Sequence, residues 1–360
     1  MKFILICLTI FPIYCFALEP PEIGGELDII QTYEMDGLFD GNANIWTRTS
    51  FKLKLDYYIG DKAHAHIDLK MFTTEESDFD WKLNETYIDY YFKPFGVFDM
   101  DLRAGIQQIS WGSAYQINPT DNINPFDISE QGTFLPDEKL GVSALRLKFY
   151  PSSNLIFTGV FIPYFVPAFE DSSSIIPEKT LENSEQAFKL TIQSILGCDL
   201  SMSYFNGKED FPDENNQYQD VNIYGGDIIG TIGGMALWAE GAYSEPKDND
   251  PYFQIVAGGE YSFDNDLYFM SQFYHRNYPE SKENYVMNVL RYPFRDIHTL
   301  QLGMFYEIEN EVLAFFPEFN FSLAEDVSLI LSGIFIEGDA SETFLGQMKD
   351  KIFLKVEYCF

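Results

Sequence analysis

The feature that most constrains the fold of this 360-residue chain is an alternation of apolar and polar side chains with a period of two residues. In residues 44–59, Leu53 and Leu55 fall on one set of alternate positions, and Lys52 and Lys54 fall on the other. Successive side chains of a β-strand point to opposite faces of the sheet, so this pattern predicts strands with one apolar and one polar face. The pattern recurs along most of the chain and predicts an all-β protein.

The last ten residues show the alternation clearly, because Ile352, Leu354, Val356, Tyr358 and Phe360 all fall on one face. An apolar final strand that ends in Phe, with another aromatic residue two positions earlier, resembles the closing strand of bacterial outer-membrane β-barrels. The resemblance implies that Tyr358 and Phe360 form the assembly signal for the outer-membrane barrel insertion machinery. The alternative is an ordinary half-buried strand at the end of the chain.

The amino-terminal residues predict export from the cytoplasm. A basic residue precedes an apolar run, Phe3–Phe16, and the composition changes abruptly after Ala17. This arrangement is typical of a secretory signal peptide, residues 1–17, and the run is shorter than the ~20 residues of a membrane-spanning helix. Cys15 leaves a lipoprotein signal as a weaker alternative. We therefore expect residues 18–360 to form one barrel domain in the bacterial outer membrane.

The connections between the predicted strands alternate between short turns and long segments that are acidic or rich in proline. Gly60-Asp61-Lys62 is a short turn, whereas residues 110–138 and 163–184 are long connections. Short periplasmic turns and long extracellular loops are typical of bacterial transmembrane barrels. The pattern thus predicts a single transmembrane antiparallel β-barrel of about eighteen strands. Sixteen strands are the alternative, because residues 284–292 alternate poorly.

The aromatic content supports strands that face lipid. The chain has 34 Phe and 23 Tyr, and 17% of its residues are aromatic. Lipid-facing strands with aromatic girdles produce such a composition without long apolar runs. After removal of the predicted signal peptide only Cys198 and Cys359 remain, so no disulfide framework is expected.

The distribution of charge indicates what the barrel interior carries. The formal net charge of −33 excludes nucleic acid as a natural partner. The acids crowd into the predicted extracellular loops, whereas many basic residues fall on predicted inward faces. The inward residues that are candidates for ion selectivity are Arg48, Lys52, Lys54, Lys70, Asp101, Arg103, Arg146 and Lys148.

Two interpretations of these charges stay open. In the first, the loop acids only solvate the loops, and the inward charges pair with one another. In the second, a basic ladder across the lumen favours anions, and the acidic loops hold divalent cations near the phosphates of lipopolysaccharide. Inward acids such as Asp56 and Asp68 mean that any ladder is paired at least in part.

Residues 105–127 contain more than strand alternation. The stretch Gly105–Pro125 resembles the "G-x-Q-x-I-x-W-G … N-P-T-D … N-P" segment of a family of poorly characterised bacterial outer-membrane barrels. That family is porin-like and loosely akin to alginate-export-type proteins. The resemblance implies an outer-membrane location and a role in transport, with no settled substrate.

The same stretch predicts either a rigid corner or a loop folded into the mouth of the barrel. Each Asn-Pro pair starts a turn, since proline excludes the preceding residue from the helical region. In the functional interpretation the side chains that line a constriction or rim are Trp111, Asn118, Asp121 and Asn124.

A polar interior requires water or mutual ion pairs, and eighteen strands leave room for an aqueous channel. The sequence therefore predicts a porin-like channel for passive or facilitated passage of a small-molecule solute. The alternative is a structural or adhesive surface barrel whose acidic extracellular loops bind a partner. Outer-membrane lipid and lipopolysaccharide are the expected surroundings, and the oligomeric state is left open.

No catalytic set emerges from the sequence. The chain has only four histidines, and His275 has no acid placed to orient it as a base. His64 and His66 share an inward face beside Asp68, but no third ligand is evident from their spacing. We therefore expect no enzyme activity, no metal site and no cofactor.

Overall fold

The computed structural model describes residues 20–35, 43–73, 79–127, 139–168, 175–213, 216–278, 282–295, 297–338 and 349–360. The predicted signal peptide, residues 1–17, lies outside the described residues, as does most of the predicted loop at 338–349.

Eighteen strands form one antiparallel sheet. In chain order they are β1 (Glu22–Met35), β2 (Ala43–Ile59), β3 (Ala63–Phe72), β4 (Asp80–Phe92), β5 (Asp99–Gln107), β6 (Val142–Ser152), β7 (Leu155–Ile162), β8 (Glu185–Ile195), β9 (Cys198–Lys208), β10 (Asp220–Ile232), β11 (Met235–Pro246), β12 (Tyr252–Ser262), β13 (Tyr268–Asn277), β14 (Lys282–Phe294), β15 (His298–Glu307), β16 (Val312–Ala324), β17 (Val327–Glu337) and β18 (Asp350–Cys359).

The sheet closes on itself, because β1 pairs with both β2 and β18. Backbone bonds complete the seam: the amide of Gly25 donates to the carbonyl of Phe360 at 2.9 Å, and the amide of Phe360 donates to the carbonyl of Gly25 at 3.0 Å. The prediction of an all-β antiparallel barrel of eighteen strands is confirmed. Closure pairs the backbone N–H and C=O groups of the two strands that would be edges of an open sheet.

The alternative of sixteen strands is wrong, and β14 shows why its alternation looked weak. This strand is complete and pairs with β13 and β15. Both of its faces carry apolar side chains: Leu290 is exposed on the outer face, whereas Met287 and Val289 are buried on the inner face. The inner face is apolar here because a loop inside the barrel packs against it, as described below.

The outer face of the barrel is a band of exposed apolar side chains. The predicted outward residues Leu354 and Val356 are 37% and 38% exposed, whereas Phe353, which precedes Leu354 and lies on the other face, is 4% exposed. Further outward residues of this band include Ile29, Ile88, Leu145, Phe188, Met202, Tyr224, Ile255, Phe269 and Leu331. Such a band is unfavourable in water and is stabilised when an apolar phase covers it.

The two ends of the barrel differ. One end, here called the short-turn end, carries the start of β1, the end of β18 and several short connections. These connections are residues 60–62, 153–154, 196–197, 233–234 and 325–326. At the opposite end, the long-loop end, the longer connections leave β5, β7 and β9; their described parts are residues 108–127, 139–141, 163–168, 175–184, 209–213 and 216–219. The free thiols Cys198 and Cys359 lie near the short-turn end, and neither forms a disulfide.

Two short 3₁₀ segments, Pro94–Gly96 and Leu181–Asn183, are the helical elements of the described residues. No helix in this part of the chain has the length and apolar character needed to cross a membrane.

The seam generates a testable prediction. The Phe360 ring lies 5.9 Å from the ring of Phe51 and 6.0 Å from that of Tyr358, so it joins β1, β2 and β18 at the point of closure. We expect Phe360→Ala to lower the amount of closed barrel, measured as heat-modifiable migration of membrane fractions on gels.

Phe95→Ala is the matched control, because the Phe95 side chain is fully exposed in a turn at the same end. Equal amounts of closed barrel from the Phe360 variant and the control would contradict an assembly role for Phe360.

Candidate functional site: the inner loop and the bore

The connection between β5 and β6 folds into the barrel. Residues 108–127, here called the inner loop, contact the inward side chains of β10, β11 and β13. Since β13 lies eight strands from β5 in a ring of eighteen, the loop reaches nearly to the opposite wall. The segment therefore folds into the barrel, one of the two arrangements that the sequence left open, and its part in a constriction stays a prediction.

Glu240 of β11 is the main anchor of the inner loop. Its Oε2 accepts hydrogen bonds from the amides of Ser113 at 2.8 Å and Ala114 at 3.2 Å. Its Oε1 accepts from the amide of Thr120 at 2.7 Å and from the hydroxyl of that residue at 2.8 Å. The Glu240 side chain is 3% exposed, so these four donors replace the water that its carboxylate loses on burial.

Gly112 is required by this anchor for two reasons. Its φ of +87° is a left-handed conformation that favours glycine. A Cβ at this position would lie 2.5 Å from Oε2 of Glu240, well inside contact distance. The glycine thus lets the loop backbone approach the carboxylate closely.

Two further groups hold the loop from the wall. Gln272 of β13 accepts from the Tyr115 amide at 2.8 Å and donates to the Tyr115 carbonyl at 2.9 Å. The Ser113 hydroxyl donates to Asp227 of β10 at 2.9 Å, and Lys189 of β8 pairs with the same carboxylate at 3.1 Å. The loop is therefore fixed to three strands by buried polar contacts.

Two of the predicted rim residues brace the loop from within. Asn124 is 1% exposed; it accepts from the Ile109 amide at 2.6 Å and donates to the carbonyls of Gln107 and Leu140. Asp121 accepts from the Trp111 amide at 3.1 Å and pairs with Lys139 at 2.7 Å. These contacts give both side chains a positioning role that does not require contact with a solute.

The other two predicted rim residues occupy different places. Trp111 is 7% exposed and packs in an apolar cluster with wall residues of β6 to β11. The Lys189 ammonium lies 5.9 Å from the centre of its ring. Asn118 lines a cavity at the long-loop end, and its Oδ1 is buried there without a hydrogen-bond partner in the described residues.

Much of the bore wall beneath the loop is apolar, which the sequence analysis did not predict. The loop residues Ala114, Tyr115 and Ile117 pack against this wall. Its buried members are Trp238, Val256, Met270, Tyr274, Met287, Val289, Phe305, Val312, Ala314, Ile334 and Phe353, from β11 to β18. The burial of these side chains stabilises the docked loop and removes apolar surface from water inside the bore.

The charged part of the bore lies on β1 to β6. Residues directly opposite across an antiparallel pair share a face. Register places Lys52 opposite Lys70, Asp101 opposite Lys148 and Arg103 opposite Arg146, and it places Arg48 and Lys54 on the same face. All eight sequence-predicted lumen residues therefore occupy the bore face; their part in selectivity stays a prediction.

Some of these cations form ion pairs with carboxylates of the bore, and others do not. Arg103 bonds to both oxygens of Asp89 at 2.7 and 2.8 Å, and Lys52 pairs with Asp68 at 3.7 Å. In contrast, the described part of the chain offers no ion-pair partner to three cations. These are Lys54, Arg146 and Lys148.

A vestibule of about 720 Å³ opens above the inner loop at the long-loop end. Arg276 of β13 lies in its wall, with its guanidinium 3.7 Å from the centre of the Tyr278 ring and 4.9 Å from that of Tyr252. Acidic residues face these cationic and aromatic groups. Burial raises the pKa of Asp210, which follows β9, to about 6, and the nearby carboxylates of Asp121 and Glu209 add to the shift while Lys139 opposes it.

Sequence reasoning missed the residues that seat the loop. Glu240 and Gln272 read as ordinary inward polar positions of strands. A weak signal was available, because Gly112 beside Trp111 indicates a close approach of backbone to another group. The group that the backbone approaches is Glu240, which lies more than a hundred residues away in the sequence, so the local pattern does not identify it.

Comparison with known proteins agrees with the fold. A family model described as "Protein of unknown function (DUF1302)" matches residues 34–164, a little over a third of the chain. The matched range includes the inner loop; the likeness to alginate-export-type proteins stays a prediction. No curated protein shows a significant match to the chain.

Solved structures of similar architecture include OccAB4 of Acinetobacter baumannii, with a TM-score of 0.59, 12% identity, and coverage of 96% of this chain and 99% of that one. OmpF of Salmonella typhi in complex with daunomycin gives a TM-score of 0.50 at 11% identity, over 94% of this chain and 97% of that one. At these identities the similarity concerns the fold alone, a porin-like barrel.

The anchor at Glu240 predicts how the loop responds to mutation. We expect Glu240→Gln to lose two of the four bonds, because the new amide nitrogen cannot accept from backbone amides. Each bond to a charged group contributes about 1.5–3 kcal/mol, so the docked loop should lose about 3 kcal/mol or more. Hydrogen–deuterium exchange of peptides covering residues 108–127 should rise accordingly.

Glu260→Gln is the matched control, since Glu260 bonds to the Tyr268 hydroxyl on β13 and does not touch the loop backbone. Unchanged exchange in the Glu240 variant would show that the apolar wall alone holds the loop.

Proposed function

We propose that this protein is an outer-membrane channel that lets small hydrophilic solutes pass along the charged side of its bore. The division of the bore carries the proposal. The inner loop covers the apolar wall, whereas ionic side chains on the opposite side keep contact with solvent: Lys52 and Asp56 are 20% and 27% exposed. Solvent-exposed charges inside the barrel indicate a water-filled space, since a dry, fully packed interior would make them costly.

The outer face supports the proposed location. Its exposed apolar band requires lipid, and a closed barrel is one of the two structures that can span a bilayer with all backbone groups paired. In this proposal the short-turn end faces the periplasm, and the long-loop end faces outward among lipopolysaccharide. Export by the signal peptide and assembly by the barrel insertion machinery belong to the same proposal.

The cations that have no ion-pair partner in the described residues give the channel a preference for anions. Arg146 and Lys148 lie next to each other on the bore face of β6, and Lys54 is exposed in the bore. Asp89 and Asp101 act on Arg146 and Lys148 without forming ion pairs with them, so part of this positive field remains to attract counter-ions from solution. The paired cations Arg103 and Lys52 contribute less, because Asp89 and Asp68 oppose their field.

Planar-bilayer recording tests both passage and preference. The wild-type protein should give ohmic steps and a reversal potential on the anion side of zero in a KCl gradient. Arg146→Gln with Lys148→Gln should move that potential toward the cation limit, which is roughly 59 mV for a tenfold gradient. Lys93→Gln is the control, because Lys93 lies in an exposed turn outside the bore and pairs with Asp99.

A silent barrel would contradict the proposed passage and favour the structural or adhesive alternative. An unchanged reversal potential in the double variant would instead contradict the assignment of the anion preference to β6.

The vestibule predicts a pH dependence. The Asp210 carboxyl, with its pKa of about 6, is ionised at about pH 7 and mostly neutral at about pH 5. Acidification therefore removes negative charge from the long-loop end, so the reversal potential should move further toward anions as the pH falls. Asp210→Asn should reduce this movement, whereas Asp266→Asn at the short-turn end should leave it in place. A full pH response in the Asp210 variant would contradict this origin.

A further inference from the structure

We propose that Asp56, His64 and His66 form a binding site for a divalent transition-metal ion on the bore wall near the short-turn end. The proposal concerns a ligand that the sequence analysis did not expect. It does not depend on passage of solutes, because a sealed barrel with these three side chains would bind the ion equally well.

The three side chains meet because of strand register. β2 pairs with β3 so that Asp56 lies directly opposite His66 and Tyr58 lies opposite His64. Nε2 of His64 and Nδ1 of His66 each lie 2.7 Å from Oδ1 of Asp56. The ligand atoms of the three residues all lie within 4.8 Å of one another. Two nitrogens and one oxygen thus converge on one small volume.

These separations are close to those of a metal site. Two ligand atoms 2.7 Å apart, each about 2.1 Å from an ion, subtend an angle of about 80° at that ion. An octahedral site requires about 90°, which each histidine reaches by an outward shift of roughly 0.3 Å. A tetrahedral zinc site requires about 109°, which takes a shift of roughly 0.7 Å. Side-chain torsions provide such a shift without movement of the strands.

Asp89 lies behind His64 and can accept the ring proton in the tautomer that binds metal. Nδ1 of His64 lies 3.4 Å from Oδ2 of Asp89, and Arg103 holds that carboxylate through two bonds. When Nδ1 carries the proton and donates it to Asp89, Nε2 of a neutral His64 presents a lone pair to Asp56. A carboxylate or similar acceptor behind a ligating histidine fixes its orientation in this way in metal sites.

A lone pair on Nε2 that faces a carboxylate oxygen at 2.7 Å is unfavourable unless a cation lies between them. Without a metal ion, the other neutral tautomer resolves this contact, because its Nε2–H donates a hydrogen bond to Oδ1 of Asp56. Both histidines are 11% exposed on their side chains and Asp56 is 27% exposed, so solvent and ions reach the carboxylate from the bore.

Aromatic rings hold both imidazoles in place. The Tyr58 ring stacks on His64 at 4.6 Å, and the Tyr87 ring stacks on His66 at 5.0 Å. The Arg103 guanidinium in turn lies over the Tyr87 ring, 3.5 Å from its centre. Imidazoles held in this way lose little conformational freedom when they bind an ion, and this lowers the cost of binding.

The donor set indicates the class of ion. Two imidazole nitrogens and one carboxylate suit Zn²⁺, Ni²⁺, Co²⁺ and Cu²⁺ better than Ca²⁺ or Mg²⁺, which prefer all-oxygen sites. Three protein ligands on one side leave further coordination positions open toward the bore for water or an anion. A bound ion would add two positive charges on the side of the bore that holds Arg103 and Arg146.

Isothermal titration calorimetry tests the site. Detergent-purified, chelator-treated full-length barrel is titrated with ZnCl₂, and separately with MgCl₂. We expect about one Zn²⁺ per chain and no binding of Mg²⁺. Asp56→Asn keeps the size of the side chain but removes its charge, and it should weaken Zn²⁺ binding by more than the roughly 10–100-fold that loss of a partner behind a ligating histidine costs.

His298→Gln is the matched control, because it removes one of the four histidines of the chain at a position distant from the site. It should bind Zn²⁺ as the wild type does. Heat-modifiable migration checks that each variant is folded. X-ray absorption of the Zn²⁺-loaded wild type is the second measurement, and it should show two imidazoles and oxygen ligands without any variant being made.

Absence of Zn²⁺ binding by the wild type would overturn the proposal and leave hydrogen bonds from both histidines to Asp56 as the explanation. Equal affinity in the Asp56 variant, or an absorption spectrum without two imidazoles, would overturn it as well. A silent channel that still binds one Zn²⁺ would refute the proposed passage and leave the metal site standing.

Discussion

The requirement that every backbone amide and carbonyl be paired decides the rest of this structure. An eighteen-stranded sheet has two edges unless β1 meets β18, and the bonds between Gly25 and Phe360 complete that meeting. A closed sheet has an inside and an outside, so the period-two alternation of each strand becomes a division between two environments. The exposed apolar band and the charged bore are the two results of that one constraint.

The inside is then divided again by the inner loop. A loop of twenty residues inside a barrel carries backbone groups that need partners and apolar side chains that need cover. Glu240 and Gln272 provide the partners, and the apolar wall from β11 to β18 provides the cover. This wall explains why β14 is apolar on both faces. It also leaves β1 to β6 as the side where fixed charges face water.

The charged side is organised by pairs across strands rather than by a ladder along the bore. Arg103 is the clearest case: it neutralises Asp89, covers Tyr87, and through Asp89 orients His64. One guanidinium thus links the electrostatics of β5 to the geometry of the Asp56 cluster on β2 and β3. Arg146, directly opposite it, forms no ion pair in the described residues, and Asp89 acts on its charge only from a longer distance.

The sequence by itself determined the strands, their faces and the barrel. The alternation of residues such as Leu354 and Lys355 is local, and a side chain's face follows from its position within its own strand. The tertiary structure decided which side chains meet. Glu240 reaches the loop amides, and Asp56 joins the two histidines, only through the register between strands and the path of the loop across the bore. Those contacts join residues from different strands, and alternation within a strand excludes one-residue slips but does not choose among shifts of two residues.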